Sequence, residues 1–270
     1  MAIHLTSQRL LFLMVPGTGC SVIGRALIEQ AGGRWLPEAD IHAGGRVVMS
    51  RKHHDLQQMF EHGLINADQR RDLSVFATVR NPYDRLVTYW QRMAGDWDRE
   101  SFAVRKNIIR RNAGGFSKAE VERRLRVLGR QRFRRRIRSR LAKLAGFNRW
   151  VQRTIRMYAG QDARSKNPDA ARVLRLFPLT AGVDCVIRYE KLGEGLNGVL
   201  QEAGFGQEIE LPRKNVTPGK RAFNEYWNGA SLRLLEAHYG DALALLGHTN
   251  AGSTADRAAF HAMPVVGAHR

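Results

Sequence analysis

The stretch Leu11-Phe-Leu-Met-Val-Pro-Gly-Thr-Gly-Cys-Ser21 decides the fold class of this chain. Its apolar part, from Leu10 to Val15, is the kind of short run that forms a strand buried on both faces, and Pro16 with two glycines ends it. From Ser21 to Ala31 apolar residues recur at helical spacing, and Gly32-Gly33 closes the pattern as a C-terminal cap would. The sequence therefore predicts a strand, a glycine-rich loop and a helix in direct succession.

A loop that leads into a helix N-terminus is a ready anion site. Free backbone N–H groups and the positive end of the helix dipole point at the ligand there, and glycines let the backbone approach it closely. We expect the hydroxyls of the loop and the first amides of the helix to be the donors. A glycine-rich turn without a ligand is the alternative reading of this loop alone. The predicted binding residues are Pro16, Gly17, Thr18, Gly19, Cys20, Ser21 and Val22.

A nucleoside-triphosphate P-loop shares the end of this pattern, with Ser21 at its hydroxyl position. Cys20 stands where the P-loop lysine would reach the terminal phosphates, and Met14 stands at the leading glycine. The missing lysine disfavours an NTP-dependent kinase.

A second anion clamp is predicted about sixty residues later, in Val79-Arg-Asn-Pro-Tyr-Asp-Arg-Leu-Val-Thr88. Leu73 to Val79 is another candidate for a buried strand, and Pro82 suits the first turn of a helix. Arg80 would then lie at the carboxyl end of a strand, where open α/β sheets bind ligands, with Thr88 on the following helix. A guanidinium fork and a hydroxyl suit a phosphate monoester. The alternative is that Arg80 pairs with Asp84 while Thr88 faces solvent.

Four parts of the chain, spanning roughly residues 9–247, together resemble the sulfotransferases that use 3′-phosphoadenosine-5′-phosphosulfate, in particular the carbohydrate-type and bacterial branch. Val15 to Ser21 resembles the family's 5′-phosphosulfate loop, and Arg80 with Thr88 resembles its 3′-phosphate motif. Between these two, Arg51-Lys-His-His-Asp-Leu56 resembles a Lys-His segment of the family. The fourth part resembles the family's late Arg-Tyr-Glu strand and its Asn-x-Thr-Pro segment, and consists of Val186-Ile-Arg-Tyr-Glu-Lys-Leu192 and Lys214-Asn-Val-Thr-Pro-Gly-Lys220. The resemblance implies an α/β fold with a mostly parallel central sheet flanked by helices, similar to the P-loop nucleotide hydrolases.

The resemblance also implies a reaction, in which a sulfuryl group passes from that donor to an acceptor hydroxyl, or less readily an amine, by in-line displacement. We expect His53 to take the acceptor proton, with His54 as the nearest competitor, and Lys52 to stabilise charge on the bridging oxygen. No metal is expected, because the nine histidines are scattered without ligand-like spacing.

One position departs from the family. Many members have a lysine directly after the proline of the first loop, where this chain has Gly17. Lys52 or an arginine could supply that charge, or backbone donors and the helix end could suffice. The third alternative is a catalytically inactive, anion-binding adaptor.

A basic loop follows late in the chain. Lys214, Lys220 and Arg221 flank Pro218-Gly219, and we expect them to close over the nucleotide. A solvated basic loop is the competing interpretation. For the late strand, the alternative is a mainly structural role in which Glu190 pairs with Arg188.

The net charge of +19 is concentrated in one segment, since residues 99–156 alone carry +17. Within it apolar residues recur at helical spacing, with breaks at Gly114-Gly115 and Gly146, so we predict a helical, Arg-rich insertion at about 99–158. Such uncompensated charge indicates an anionic partner. An acidic glycan acceptor and an anionic membrane surface near a lipid acceptor are the favoured partners, and nucleic acid is disfavoured because Phe133 is the only aromatic residue between Arg123 and Lys143.

The remaining expectations concern organisation. Residues 1–248 are predicted to form a single α/β domain, and the Ala-, Gly- and Ser-rich tail at 249–270 is assigned no role. Neither a signal peptide nor a transmembrane segment is recognisable, so we expect a soluble, cytoplasmic, bacterial protein with membrane association as an open alternative. Two cysteines, Cys20 and Cys185, argue against a disulfide framework.

Overall fold

The structure is a computed structural model that describes residues 2–44, 46–49, 54–94, 106–107, 109, 117–159, 182–212 and 217–245. The chain forms two compact units. The first contains the described residues up to Pro82, those of 182–212, and residues 244 and 245. The second contains the described residues from Tyr83 to Ala159 and those from Thr217 to Leu243.

The first unit is built on a five-stranded sheet of order β3-β1-β2-β6-β7. β2, β6 and β7 run parallel to one another, whereas β1 is antiparallel to both of its neighbours, β2 and β3. Four of the five strands therefore point the same way, which confirms the predicted mostly parallel sheet. The strands are β1 (Ala2–Leu5), β2 (Leu10–Leu13), β3 (Arg34–Leu36), β6 (Ser74–Val79) and β7 (Cys185–Arg188).

Both faces of the sheet are covered. Side chains of β2 alternate, so that Leu10 and Phe12 join one buried cluster and Leu11 and Leu13 join the other. The first cluster includes residues of α1 and α6, and the second includes residues of α2. This double burial explains why β2 is a continuous apolar run. The helices of the first unit are α1 (Cys20–Ala31), α2 (Leu56–Glu61), α3 (Ala67–Asp72) and α6 (Leu192–Glu202).

The segment after α1 contains a separate hairpin. β4 (Ile41–Ala43) and β5 (Arg46–Met49) pair only with each other, in an antiparallel two-stranded sheet. β5 therefore does not add to the central sheet. Its hairpin partner, β4, was not expected from the sequence. α2 follows, and Asp55 begins it with a reciprocal capping box to Gln58.

The second unit is helical, with an aromatic core. Its helices are α4 (Pro82–Ala94), α5 (Lys118–Ala159) and α7 (Gly229–Leu245). Two of them cross the boundary of the unit, since Pro82 and the last two residues of α7 belong to the first unit. The ring of Phe147 contacts those of Trp90, Trp150, Tyr226 and Trp227 at centroid distances of 5.0–6.2 Å.

α5 breaks at the position that the sequence indicates. Gly146 has non-helical dihedral angles (φ 71°, ψ 167°) and separates a strongly basic segment from the one that carries Phe147. Among the helices that the structure describes, none has a stretch long and apolar enough to cross a membrane. The single domain of 1–248 and the insertion at 99–158 stay predictions, and the tail at 249–270 lies outside the described residues.

Candidate active site

The glycine-rich loop and Arg80 lie at the same edge of the central sheet. β2 and β6 are adjacent and parallel, with Leu13 opposite Ala77. β2 ends at Leu13, and β6 ends two residues beyond Ala77, at Val79, so both strands end at the same edge of the sheet. Strand geometry thus brings together two segments that are sixty residues apart in sequence.

The loop has a backbone shape that its two glycines permit. Gly17 and Gly19 both have φ of +80°, in the left-handed region that residues with a Cβ rarely adopt. Gly19 is also the N-cap of α1, without a side-chain hydrogen bond to the helix, and the first turn of α1 contains no acidic residue. The positive end of α1 is therefore not neutralised by its own first turn.

Thr18 connects the glycine-rich loop to the sheet through hydrogen bonds of its buried hydroxyl. Its side chain is fully buried, and its hydroxyl donates to the carbonyl oxygen of Val15 at 2.7 Å. The same hydroxyl lies 2.6 Å from that of Thr78, which is also fully buried. Because the proton of Thr18 goes to Val15, Thr78 is the donor in this second bond. The hydroxyl of Thr18 thus links the loop after β2 to β6.

Arg80 is buried at the mouth of this loop, with 7% of its surface exposed. Its Nη1 atom lies 3.4 Å from the carbonyl oxygen of Gly17. Its guanidinium carbon lies 4.2 Å from the centre of the Tyr189 ring, within the range of a cation–π interaction. The charge is thus placed between the glycine loop and the end of β7.

The turn after β7 completes this arrangement. A 3-10 turn, Tyr189–Lys191, follows the strand directly, and Glu190 accepts a hydrogen bond from the backbone N–H of Asn81 at 3.2 Å. Leu192 approaches the loop so closely that a Cβ on Gly19 would lie 2.4 Å from its Cδ1 atom. We call Gly17, Thr18, Thr78, Arg80 and Tyr189 the strand-end cluster.

Other predicted binding residues do not belong to the strand-end cluster. Cys20 is buried at the start of α1, while Ser21 is exposed and Pro16 and Val22 are partly exposed. Thr88 belongs to the second unit and is 4% exposed, so the alternative in which it faces solvent is wrong.

The late basic loop is engaged within the second unit. The ammonium group of Lys220 pairs with Asp84, at the start of α4, and both side chains are mostly buried. Arg221 pairs with Glu225 at 3.2 Å, and its backbone N–H donates to the hydroxyl of Tyr226 at 3.1 Å. The sequence reading did not anticipate these partners.

The proposed catalytic pair and one binding residue, Lys52, His53 and Lys214, lie outside the described residues. His54 is described and is only 2% exposed, directly before the N-cap of α2. The position of the predicted base, His53, relative to the strand-end cluster therefore stays a prediction. No group of His, Cys, Asp and Glu side chains among the described residues is arranged to hold a metal ion.

Two members of the strand-end cluster were missed or undervalued from sequence. The apolar run from Leu73 to Val79 predicts only a buried strand for Thr78, although a single hydroxyl within such a run is the signal of a buried polar contact. Tyr189 was noted in the Arg-Tyr-Glu segment, but its contact with Arg80 spans 109 positions and has no local signature.

Comparison with known proteins agrees with this geometry. The family model described as "Sulfotransferase family" matches residues 3–238, which cover most of both units and every residue of the strand-end cluster. No curated protein and no solved structure matches the chain. The match covers well over half of the 270 residues. The chain therefore belongs to the sulfotransferase family and is a transferase enzyme.

Proposed function

We propose that this enzyme uses 3′-phosphoadenosine-5′-phosphosulfate as its donor and transfers the sulfuryl group to a hydroxyl of an acceptor, with an amine as the less favoured acceptor group. The observation that carries the proposal is the placement of Arg80. A buried guanidinium lies 3.4 Å from the carbonyl of Gly17, in the loop that opens α1. Two sites for anionic groups, a charged fork and a helix N-terminus, thus lie at one sheet edge.

In this proposal each site holds one end of the donor. The residues from Pro16 to Val22 would hold the 5′-phosphosulfate through backbone N–H groups and the hydroxyl of Ser21. The hydroxyl of Thr18 would keep the loop in shape, because Val15 and Thr78 already engage it. Arg80 and Thr88 would bind the 3′-phosphate, and Lys214, Lys220 and Arg221 would close over the nucleotide. A P-loop-like strand, loop and helix is part of this proposal.

The proposed reaction is an in-line displacement. The acceptor oxygen forms a bond to sulfur while the bond from sulfur to the bridging phosphate oxygen breaks, and His53 takes the acceptor proton. Lys52 would stabilise the charge that develops on the bridging oxygen. A sulfuryl group carries less negative charge than a phosphoryl group, so aimed donors can suffice without a metal.

The backbone conformation of Gly17 favours glycine at the position where many family members have the loop lysine. With φ of +80°, this position favours glycine, and a side chain there would cost about 1–2 kcal/mol of strain. This supports the two alternatives to that lysine, in which Lys52 or an arginine supplies the charge, or backbone donors and the α1 terminus suffice. The acceptor would be a glycan or a lipid that carries a free hydroxyl.

Calorimetric titration with 3′-phosphoadenosine 5′-phosphate, the product form of the donor, tests the donor site. We expect the wild-type protein to bind this nucleotide and to bind ADP, which lacks the 3′-phosphate, at least tenfold more weakly. Arg80→Ala should lose at least tenfold in affinity for the 3′-phosphorylated nucleotide and little for ADP, because a charge-assisted contact is worth about 1.5–3 kcal/mol.

Arg71→Ala is the matched control, since Arg71 lies on α3 with 76% of its side chain exposed. It removes the same charge from the same unit, and we expect wild-type affinity. Equal binding of ADP and the 3′-phosphorylated nucleotide, or an equal loss in both arginine variants, would contradict the proposed donor.

A further inference from the structure

The basic part of α5, from Lys118 to Ala145, exposes an apolar stripe that its own unit does not cover. Phe133, Ile137, Leu141 and Leu144 are 66, 45, 58 and 85% exposed. At about 100° per residue these four lie within an arc of about 80°, over a length of about 16 Å. We call these four residues the exposed stripe.

The stripe is separate from the face by which this helix packs. Leu128 and Ala142 are 8 and 4% exposed, and they lie roughly opposite the stripe around the helix. Trp90 donates a hydrogen bond to the carbonyl oxygen of Ala142 at 3.3 Å, which fixes this side against α4. The helix thus has two apolar faces, and among the described residues the face with Leu128 and Ala142 is buried whereas the exposed stripe is not.

Basic residues surround the exposed stripe. Lys118–Ala145 contains twelve Lys or Arg and two Glu. Arg126, Arg130 and Arg140 are exposed and lie on the same side of the helix as the stripe. One of the two acidic residues, Glu120, pairs with Arg123 and Arg124 at the far end of the segment. Around the stripe itself the charge is therefore strongly positive.

We propose that this face of α5 docks on an anionic lipid surface. A helix with apolar side chains between arginines can bury the apolar groups at the acyl boundary while the guanidinium groups reach lipid phosphates and carboxylates. The attraction of anionic headgroups adds to the burial of Phe133 and Leu144. This inference goes beyond the sulfuryl transfer and does not depend on the donor.

Other partners would satisfy only one of the two features of this surface, its apolar side chains or its positive charge. A second copy would cover the apolar side chains but would bring arginines against arginines. Nucleic acid or an acidic polysaccharide would neutralise the arginines but leave Phe133, Ile137, Leu141 and Leu144 in water. An anionic lipid surface satisfies both features.

Vesicle co-sedimentation with the full chain tests the proposal. We expect at least tenfold tighter binding to vesicles of phosphatidylcholine and phosphatidylserine in a 70:30 ratio than to vesicles of phosphatidylcholine alone. The double variant Phe133→Ser with Leu144→Ser should bind the anionic vesicles at least tenfold more weakly than wild type. Its circular dichroism melting curve should match that of wild type, because both side chains are exposed.

Phe60→Ser supplies the matched control. Phe60 is 40% exposed on α2, in the first unit, and its replacement should leave vesicle binding unchanged. Wild-type vesicle affinity in the double variant would overturn the proposal, since binding would then depend on charge alone. Preferential binding of duplex DNA or heparin over anionic vesicles, in direct competition, would overturn it as well.

Discussion

The guanidinium of Arg80 is held from two sides, by the carbonyl of Gly17 and by the ring of Tyr189. A long flexible side chain loses rotamer entropy when it binds a ligand, and neighbours that already restrict it reduce that cost. Tyr189 is thus a positioning residue, in that it acts on a ligand through Arg80.

Substitution of Tyr189 should therefore weaken nucleotide binding without removing the charge. We expect Tyr189→Ala to lower the affinity for 3′-phosphoadenosine 5′-phosphate about threefold to thirtyfold, which corresponds to the about 0.5–2 kcal/mol of a cation–π contact. Tyr189→Phe keeps the ring and should bind as wild type does. Calorimetric titration of both variants checks this, and wild-type affinity in Tyr189→Ala would show that the ring does not position Arg80.

α1 is bounded by glycines with left-handed backbones at both ends. Gly19 begins the helix with φ of +80°, and Gly32 ends it with φ of +67°. The two positions differ in their surroundings. A Cβ on Gly19 would meet Leu192 at 2.4 Å and Tyr189 at 3.3 Å, whereas one on Gly32 would meet nothing within 4 Å.

This difference separates backbone strain from close packing at the loop. Gly32→Ala should cost about 1–2 kcal/mol of unfolding free energy, from the left-handed conformation alone. Gly19→Ala should cost a further 1–3 kcal/mol or so, because the new methyl group must displace Leu192. Urea unfolding followed by circular dichroism measures both. An equal loss of unfolding free energy in the two variants would mean that Leu192 moves away from the new methyl group at no measurable cost.

The sequence predicted these elements well where one local pattern was enough. The run from Leu10 to Val15, the helical spacing before Gly32 and the break at Gly146 each depend on neighbours in the chain, and the structure has all three. The sequence did not predict pairings between residues that are distant along the chain. β1 and β3 pair with each other, but three- and four-residue strands carry too few residues for a period to be recognised. The contact of Arg80 with Tyr189 depends on the order of strands, which no local pattern encodes.

At the scale of the whole molecule, the charge of +19 favours expansion, because like charges repel one another in the compact state. Most of this charge lies between residues 99 and 156. Added salt screens repulsion between exposed charges, so the stability of the protein should depend on ionic strength as well as on pH.

His4 adds a contribution that depends on pH. It lies on β1, between β2 and β3, and burial lowers its pKa below the ordinary value of 6.5. Above that value the histidine is neutral in both the folded and the unfolded chain. Below it the unfolded chain binds the proton first, so the folded state loses stability as the pH falls toward the folded pKa.

We therefore expect wild type and His4→Gln to differ by a constant unfolding free energy at pH 8 and above. Between pH 7 and pH 5 the wild type should lose stability relative to the variant, since glutamine takes up no proton in this range. Urea unfolding at pH 8, 6 and 5, in low and in high salt, measures the difference. High salt should stabilise both proteins, because it screens the repulsion between exposed charges. Parallel pH profiles for the two proteins would show that the burial of His4 contributes nothing to acid sensitivity.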